Sequence, residues 1–169
     1  LVRVSLPLPK GFLMGGAAAS VTDGKNAIAP GFRPLTYHPG SKSVRRGIVT
    51  FPYHFEGRSP VDFDLIPAKV TKPTAPELPV SVDVNGDWVT VKYASGPAMR
   101  AHFGAVPRKS KTAARVETVE ANQYYLWQRY HLADPDWPRI IEVRADALGG
   151  VVVVAHLQRC LPEDAYAPD

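Results

Sequence analysis

The stretch GFRPLTYHPGSKSVRRGIVTFPYHF, residues 31–55, places two apolar-rich runs on either side of a turn-forming core, Pro39-Gly40-Ser41-Lys42-Ser43. Pro39 presets φ, Gly40 permits positive φ, and the serine hydroxyls can bond nearby backbone groups. Before the turn, Leu35 and Tyr37 alternate with Thr36 and His38. After it, Val44, Ile48, Val49 and Phe51 supply β-branched and aromatic bulk. The pattern predicts strand, turn, strand, with His38, Lys42, Arg45 and Arg46 clustered near the bend.

The rest of the chain repeats this grammar. Residues 1–8 alternate and end at Pro7 and Pro9, which predicts a first strand. Gly15 to Ser20 is a small-residue linker, expected as a short helical turn or a loop. Asp23-Gly24 signals a tight turn. Val61 to Ile66 reads as a strand, with Val61, Phe63 and Leu65 on one side and Asp62 and Asp64 on the other. Val80 to Val84, Asn85-Gly86 and Trp88 to Tyr93 form an alternation, turn, alternation unit that predicts a hairpin. Further strands are expected over Ala98–Phe103, within the aromatic run Gln123–Leu132, and over Ile140–Ala145 and Val151–Leu157, the last two around Leu148-Gly149-Gly150. Val116 to Val119 is ambiguous, and Pro107 to Ala114 reads as a basic loop.

Composition agrees. The chain has 169 residues, 45% of them hydrophobic, with 17 Pro and 13 Gly scattered throughout, which disfavours long helices. The expected class is all-β: one or two small antiparallel β-barrel or sandwich units with many Pro/Gly turns. Residues 1–68 form the first segment and 69–79 a Pro-rich linker or crossover. Residues 80–161 form a second β-rich segment, either separate or joined with the first in one composite barrel. Residues 162–169 are an acidic tail that reads as a truncation point.

Net charge is +4 and the sequence pI about 9.3, compatible with an anionic partner but equally with a mildly basic surface. The single cysteine, Cys160, excludes an internal disulfide and a thiolate-rich zinc site. No apolar run reaches membrane-spanning length. The chain opens without Met inside strand-like sequence, so a processed N-terminus is expected.

Chemistry-bearing motifs are few. The chain has no Gly-x-x-x-x-Gly-Lys phosphate loop, Gly-x-Ser-x-Gly elbow, His-Glu-x-x-His pair or paired-Cys motif. His38, His54, His102, His131 and His156 are widely spaced; His38 and His54 sit on the two arms of the opening stretch, where a hairpin would let them face each other. Asp62 with Asp64, and Asp134, Asp136 and Glu142, are carboxylate candidates that read first as solvated faces. Tyr124, Tyr125, Trp127, Tyr130 and Trp137 are dense enough for a sugar-stacking platform beside Gln128 and Arg129, against the competing reading that these rings fill the core. No catalytic residue, metal site or cofactor is assigned.

Leu6-Pro7-Leu8-Pro9-Lys10-Gly11-Phe12-Leu13, and Phe32-Arg33-Pro34-Leu35-Thr36-Tyr37-His38-Pro39-Gly40-Ser41 followed by Val44-Arg45 and Ile48-Val49-Thr50-Phe51, resemble the N-terminal RIFT-type (swapped-hairpin) β-barrel region of exo-rhamnogalacturonan lyase and YetA-like proteins. Tyr37 stands where that pattern has tryptophan, Pro39 where it has aspartate, and Lys42-Ser43 look inserted. The resemblance covers residues 1–66; the remainder resembles, less specifically, the second barrel-like segment of such proteins. It implies a non-catalytic accessory β-domain of a secreted, extracellular or periplasmic, polysaccharide lyase-like enzyme. Such a domain packs on a catalytic module of the same polypeptide and has an acidic polysaccharide as its further partner, with no nucleic acid or membrane. On that reading Arg45, Arg46, Tyr37 and Trp127 are the carbohydrate-contact candidates. A stand-alone carbohydrate-binding module and a small metal- or His/Asp-dependent enzyme are the alternatives.

Overall fold

The computed structural model describes residues 1–67, 78–85, 88–102, 113–132 and 139–157. Residues 69–77 of the expected 69–79 linker, the glycine of Asn85-Gly86, the basic loop to 112, the Asp134–Pro138 turn, Cys160 and the acidic tail lie outside the described residues. Thirteen strands and no helix occur among the described residues: β1 (Val2–Pro7), β2 (Ala19–Thr22), β3 (Ala27–Ile28), β4 (Gly31–Tyr37), β5 (Val44–Phe51), β6 (Asp64–Pro67), β7 (Val80–Asn85), β8 (Trp88–Tyr93), β9 (Ala98–His102), β10 (Ala113–Ala121), β11 (Tyr125–Leu132), β12 (Arg139–Asp146) and β13 (Val151–Leu157). The chain is all-β and antiparallel. It divides into two compact units, one of Leu1–Glu77 with Asn122–Tyr125, the other of Leu78–Ala121 with Leu126–Asp169.

The first unit contains two three-stranded sheets, β1-β5-β4 and β3-β2-β6. Strand alternation sends Val2, Leu6, Phe32, Val49 and Phe51 from the first sheet, and Val21, Ile28 and Leu65 from the second, into one shared apolar cluster. Leu8, Leu13 and Val44 extend it toward the turn end. Neither sheet closes into a barrel. Pro7, Pro34 and Pro67 all lie in the outer strands β1, β4 and β6, while the central strands β5 and β2 have none. A proline has no N–H for a further ladder, so it is tolerated at an edge and helps keep the sheet open.

The β4–β5 hairpin is as the opening stretch predicts. Ser41 N donates to His38 O at 3.1 Å, closing the turn His38-Pro39-Gly40-Ser41. Gly40 at its third position has φ of 66°, the type II requirement that Pro39 at the second position favours. Ser43 anchors a crossing segment: its Oγ accepts from Gly11 N at 2.8 Å, and Val44 N donates to Leu13 O at 2.8 Å. The small-residue stretch is not helical. Gly15 and Gly16 turn, Ala19 and Ser20 enter β2, and Ala17 and Ala19 pack on the Leu8–Leu13–Val44 core, where larger side chains would crowd it. The strand expected from Val61 starts at Asp64, although the burial alternation runs through both.

The second unit holds β7-β8-β9 and β10-β11-β12-β13. Val84, Val89 and Val91 of the first sheet share a core with Tyr130, Leu132, Ile141, Val143 and Ala145 of the second. Asn85 pairs with Trp88, leaving two residues between β7 and β8, the spacing of a tight hairpin. The aromatic run forms strand β11 from Tyr125, as expected, and the ambiguous segment around Val116 is strand β10.

Candidate ligand-binding face

In the first unit, one side of β1-β5-β4 is core and the other is basic. On that side the register stacks the rows Ser5–Ile48–Arg33 and Pro7–Arg46–Thr36, while a third row, Arg3–Thr50–Gly31, is covered, with Thr50 fully buried and Gly31 against Asn122. These strands carry Arg3, Arg33, Arg45 and Arg46 and no Asp or Glu. Residues 1–67 contain eight Lys or Arg against four Asp or Glu, so the whole formal charge of +4 resides there.

A compensated irregularity decides the Arg45–Arg46 geometry. Pro34 pairs with Gly47, Thr36 with Arg46 and Tyr37 with Val44. Strand β4 therefore holds one extra residue, Leu35, and β5 one extra, Arg45. A bulged residue escapes the in-and-out alternation, and both arginines are exposed although they are consecutive. The Arg45 carbonyl still accepts from Leu8 N at 2.8 Å, so the bulge is held from β1's side. Arg46 Nε donates to Ser5 Oγ at 3.0 Å. Among the described residues nothing further holds its Nη groups, which leaves the end-on edge that binds a carboxylate bidentately. Arg3 donates to Thr50 Oγ1 at 2.9 Å and stacks its guanidinium 4.0 Å from the Tyr125 ring centroid. Tyr37 is 48% exposed and lies against Gly15 near the turn.

The fourth sequence candidate, Trp127, belongs to the second unit. Its ring has Arg144 at 4.5 Å and Arg129 at 5.1 Å from its centroid, so stacking partners are already present within the protein. Between the two arginines sits Glu142, which is 7% exposed. Glu142 accepts from Arg129 Nε at 2.9 Å and Arg144 Nη2 at 2.8 Å. Burial pushes the Glu142 carboxyl up, but the hydrogen bonds from Arg144 and Arg129 outweigh it and hold the group below the usual carboxylate range. Glu142 is thus not the solvated carboxylate its sequence context suggests. Its partners are Arg129, across the sheet on β11, and Arg144, two residues along its own strand β12. Glu117 lies 3.4 Å from His131 Nε2 and 3.8 Å from Arg129, and His156 lies 3.8 Å from Glu142. Tyr130, the other ring of interest on β11, fills the core.

The histidine pairing expected in the opening stretch does not form. His38 is at the closed end of the hairpin, its Nε2 3.0 Å from Leu8 O, while His54 follows β5 at the open end, where Gly31 pairs with Thr50. An antiparallel register separates them by the length of the strand. Asp62 and Asp64 are exposed. Among the described residues no three His, Cys, Asp or Glu side chains converge as metal ligands.

Arg3 and Arg33 were not singled out from the sequence; the signal available was the absence of acidic residues from three separate strand segments. Comparisons with protein-family models, curated proteins and solved structures return no match.

Proposed function

We propose that this chain is a non-catalytic accessory β-domain of a secreted carbohydrate-active enzyme of the polysaccharide-lyase kind. It packs on a catalytic module and contacts acidic sugars through the turn end of the β4–β5 hairpin. The observation that carries the reading is the exposure of two consecutive arginines by paired bulges, on a sheet whose strands hold no carboxylate. Guanidinium forks suit the planar carboxylate of a uronate, and Tyr37 adds an exposed ring nearby. The sequence resemblance to RIFT-type regions supports the same class.

The test is calorimetric titration of the chain with pectin-type oligouronates and their methyl esters. Binding to the acid form that weakens with salt, and falls at least tenfold in Arg45→Ala/Arg46→Ala, is expected. No binding at low salt, or binding indifferent to both substitutions, rejects the reading.

A further inference from the structure

We propose that the outer face of β7-β8-β9 is a separate saccharide platform, on which Trp88 stacks an acidic pyranose ring while Arg100 holds its carboxylate. This site lies in the second unit and is independent of the Arg45–Arg46 contact. The register builds it from three rows: Asn85–Trp88–His102, Asp83–Thr90–Arg100 and Ser81–Lys92–Ala98. The intervening residues Val84, Val89 and Val91 are buried on the opposite side, so Trp88 contributes nothing to the core. It is one large aromatic on an otherwise polar face and is 41% exposed. The Arg100 guanidinium lies over its ring, 4.6 Å from the centroid, and the His102 ring lies 4.5 Å away, tilted by 46°; with both in place Trp88 keeps its 41% exposure.

Each element has a use in sugar recognition. The apolar C–H face of a pyranose lies flat on an indole, which combines an apolar body with rigid, low-entropy geometry. Neighbouring strands are about 4.8 Å apart and successive outward residues about 6.8 Å apart. Polar groups at that grid surround a single ring: Asn85 and Asp83 on the β7 side, Thr90 alongside, Arg100 and His102 on the β9 side. Asp83 and Asn85 accept from sugar hydroxyls, and Asn85 also donates. Arg100 makes no ion pair among the described residues, leaving its fork for an incoming carboxylate. The face carries Lys92 and Arg100 against Asp83, a modest positive balance that favours a single uronate over the many phosphates of a nucleic acid strand.

The full chain is titrated with a short oligogalacturonate, with its methyl ester and with a single-stranded oligonucleotide, while tryptophan fluorescence and the indole N–H resonances are followed. The expected result is that the acid oligomer quenches fluorescence and moves one indole resonance, which is absent from Trp88→Thr. Arg100→Ala should weaken the acid-oligomer binding reported by the Trp88 indole resonance at least tenfold and leave that of the ester unchanged. Arg45→Ala/Arg46→Ala should keep the shift, so the two sites fail separately. Threonine is a strong strand former at an exposed position, and an unchanged far-ultraviolet spectrum verifies the fold of the variant. An oligogalacturonate that moves no indole resonance, a shift that survives in Trp88→Thr, or tighter Trp88-dependent binding of the oligonucleotide overturns the proposal.

Discussion

Gly47, in the central strand β5, is expected to reject a single methyl group. An ideal Cβ there would lie 2.5 Å from Phe32 Cζ and 2.6 Å from Cε2. Carbon atoms pack best at about 3.5–4.0 Å, so the ring must retreat by roughly 1 Å. It has little room, because Phe32 packs against both apolar clusters of the first unit. Overpacking of this kind costs about 1–3 kcal/mol. Replacing glycine inside a strand returns roughly 0.5–1 kcal/mol of backbone entropy. With the mid-range of each, Gly47→Ala should therefore destabilise the unit by about 1 kcal/mol. The sign should reverse in a Phe32→Leu background, since leucine lacks the two offending ring atoms. All three tryptophans are at positions 88, 127 and 137, so urea unfolding of the first unit is followed by circular dichroism and tyrosine emission. The double-mutant cycle should give a coupling of about 1–3 kcal/mol. If Gly47→Ala is as stable as the parent, or costs the same in both backgrounds, the packing argument is wrong.

Two further predictions concern charge in the second unit. Glu142→Gln weakens two charge-assisted bonds; with the arginine side chains 34% and 39% exposed, screening holds the loss to the lower end, about 1.5 kcal/mol in chemical denaturation. Because the folded-state Glu142 carboxyl lies below its ordinary value, its contribution is complete above that value and is lost as pH falls through the folded one; the variant should show a shallower acid decline. Tyr130 is pushed up to about 12 by burial first and by the charge of Asp83 second. A raised acid contributes fully below the ordinary tyrosine value near 10 and is lost as pH rises through about 12. Tyr53 and Tyr93 are also raised, so near-ultraviolet titration should show several late tyrosines, and Tyr130→Phe should remove the component near 12 and flatten the alkaline loss of stability.

The sequence by itself determined what depends on neighbours a few residues apart. Pro39 and Gly40 specify their turn through allowed φ values. Alternation in β7 and β8 specifies which side chains share a face. Those signals have a period of two residues or a turn of four and need no distant partner. Tertiary structure decided everything that depends on register between segments far apart in the chain. Arg3, Arg33 and Arg46 come onto one face only because β1 and β4 pair with opposite sides of β5. Arg45 and Arg46 are both exposed only because two offsets cancel in that ladder. Trp127 and Trp88 have similar polar surroundings along the sequence, yet pairing places two guanidinium groups over the first, and one guanidinium and an imidazole beside the second, which stays 41% exposed on a polar face. Glu142 reads as solvated along the sequence; the pairing of β11 with β12 adds Arg129 to the Arg144 on its own strand and buries it. Local sequence constrains φ, ψ and alternation, whereas a binding face is assembled by cross-strand pairing.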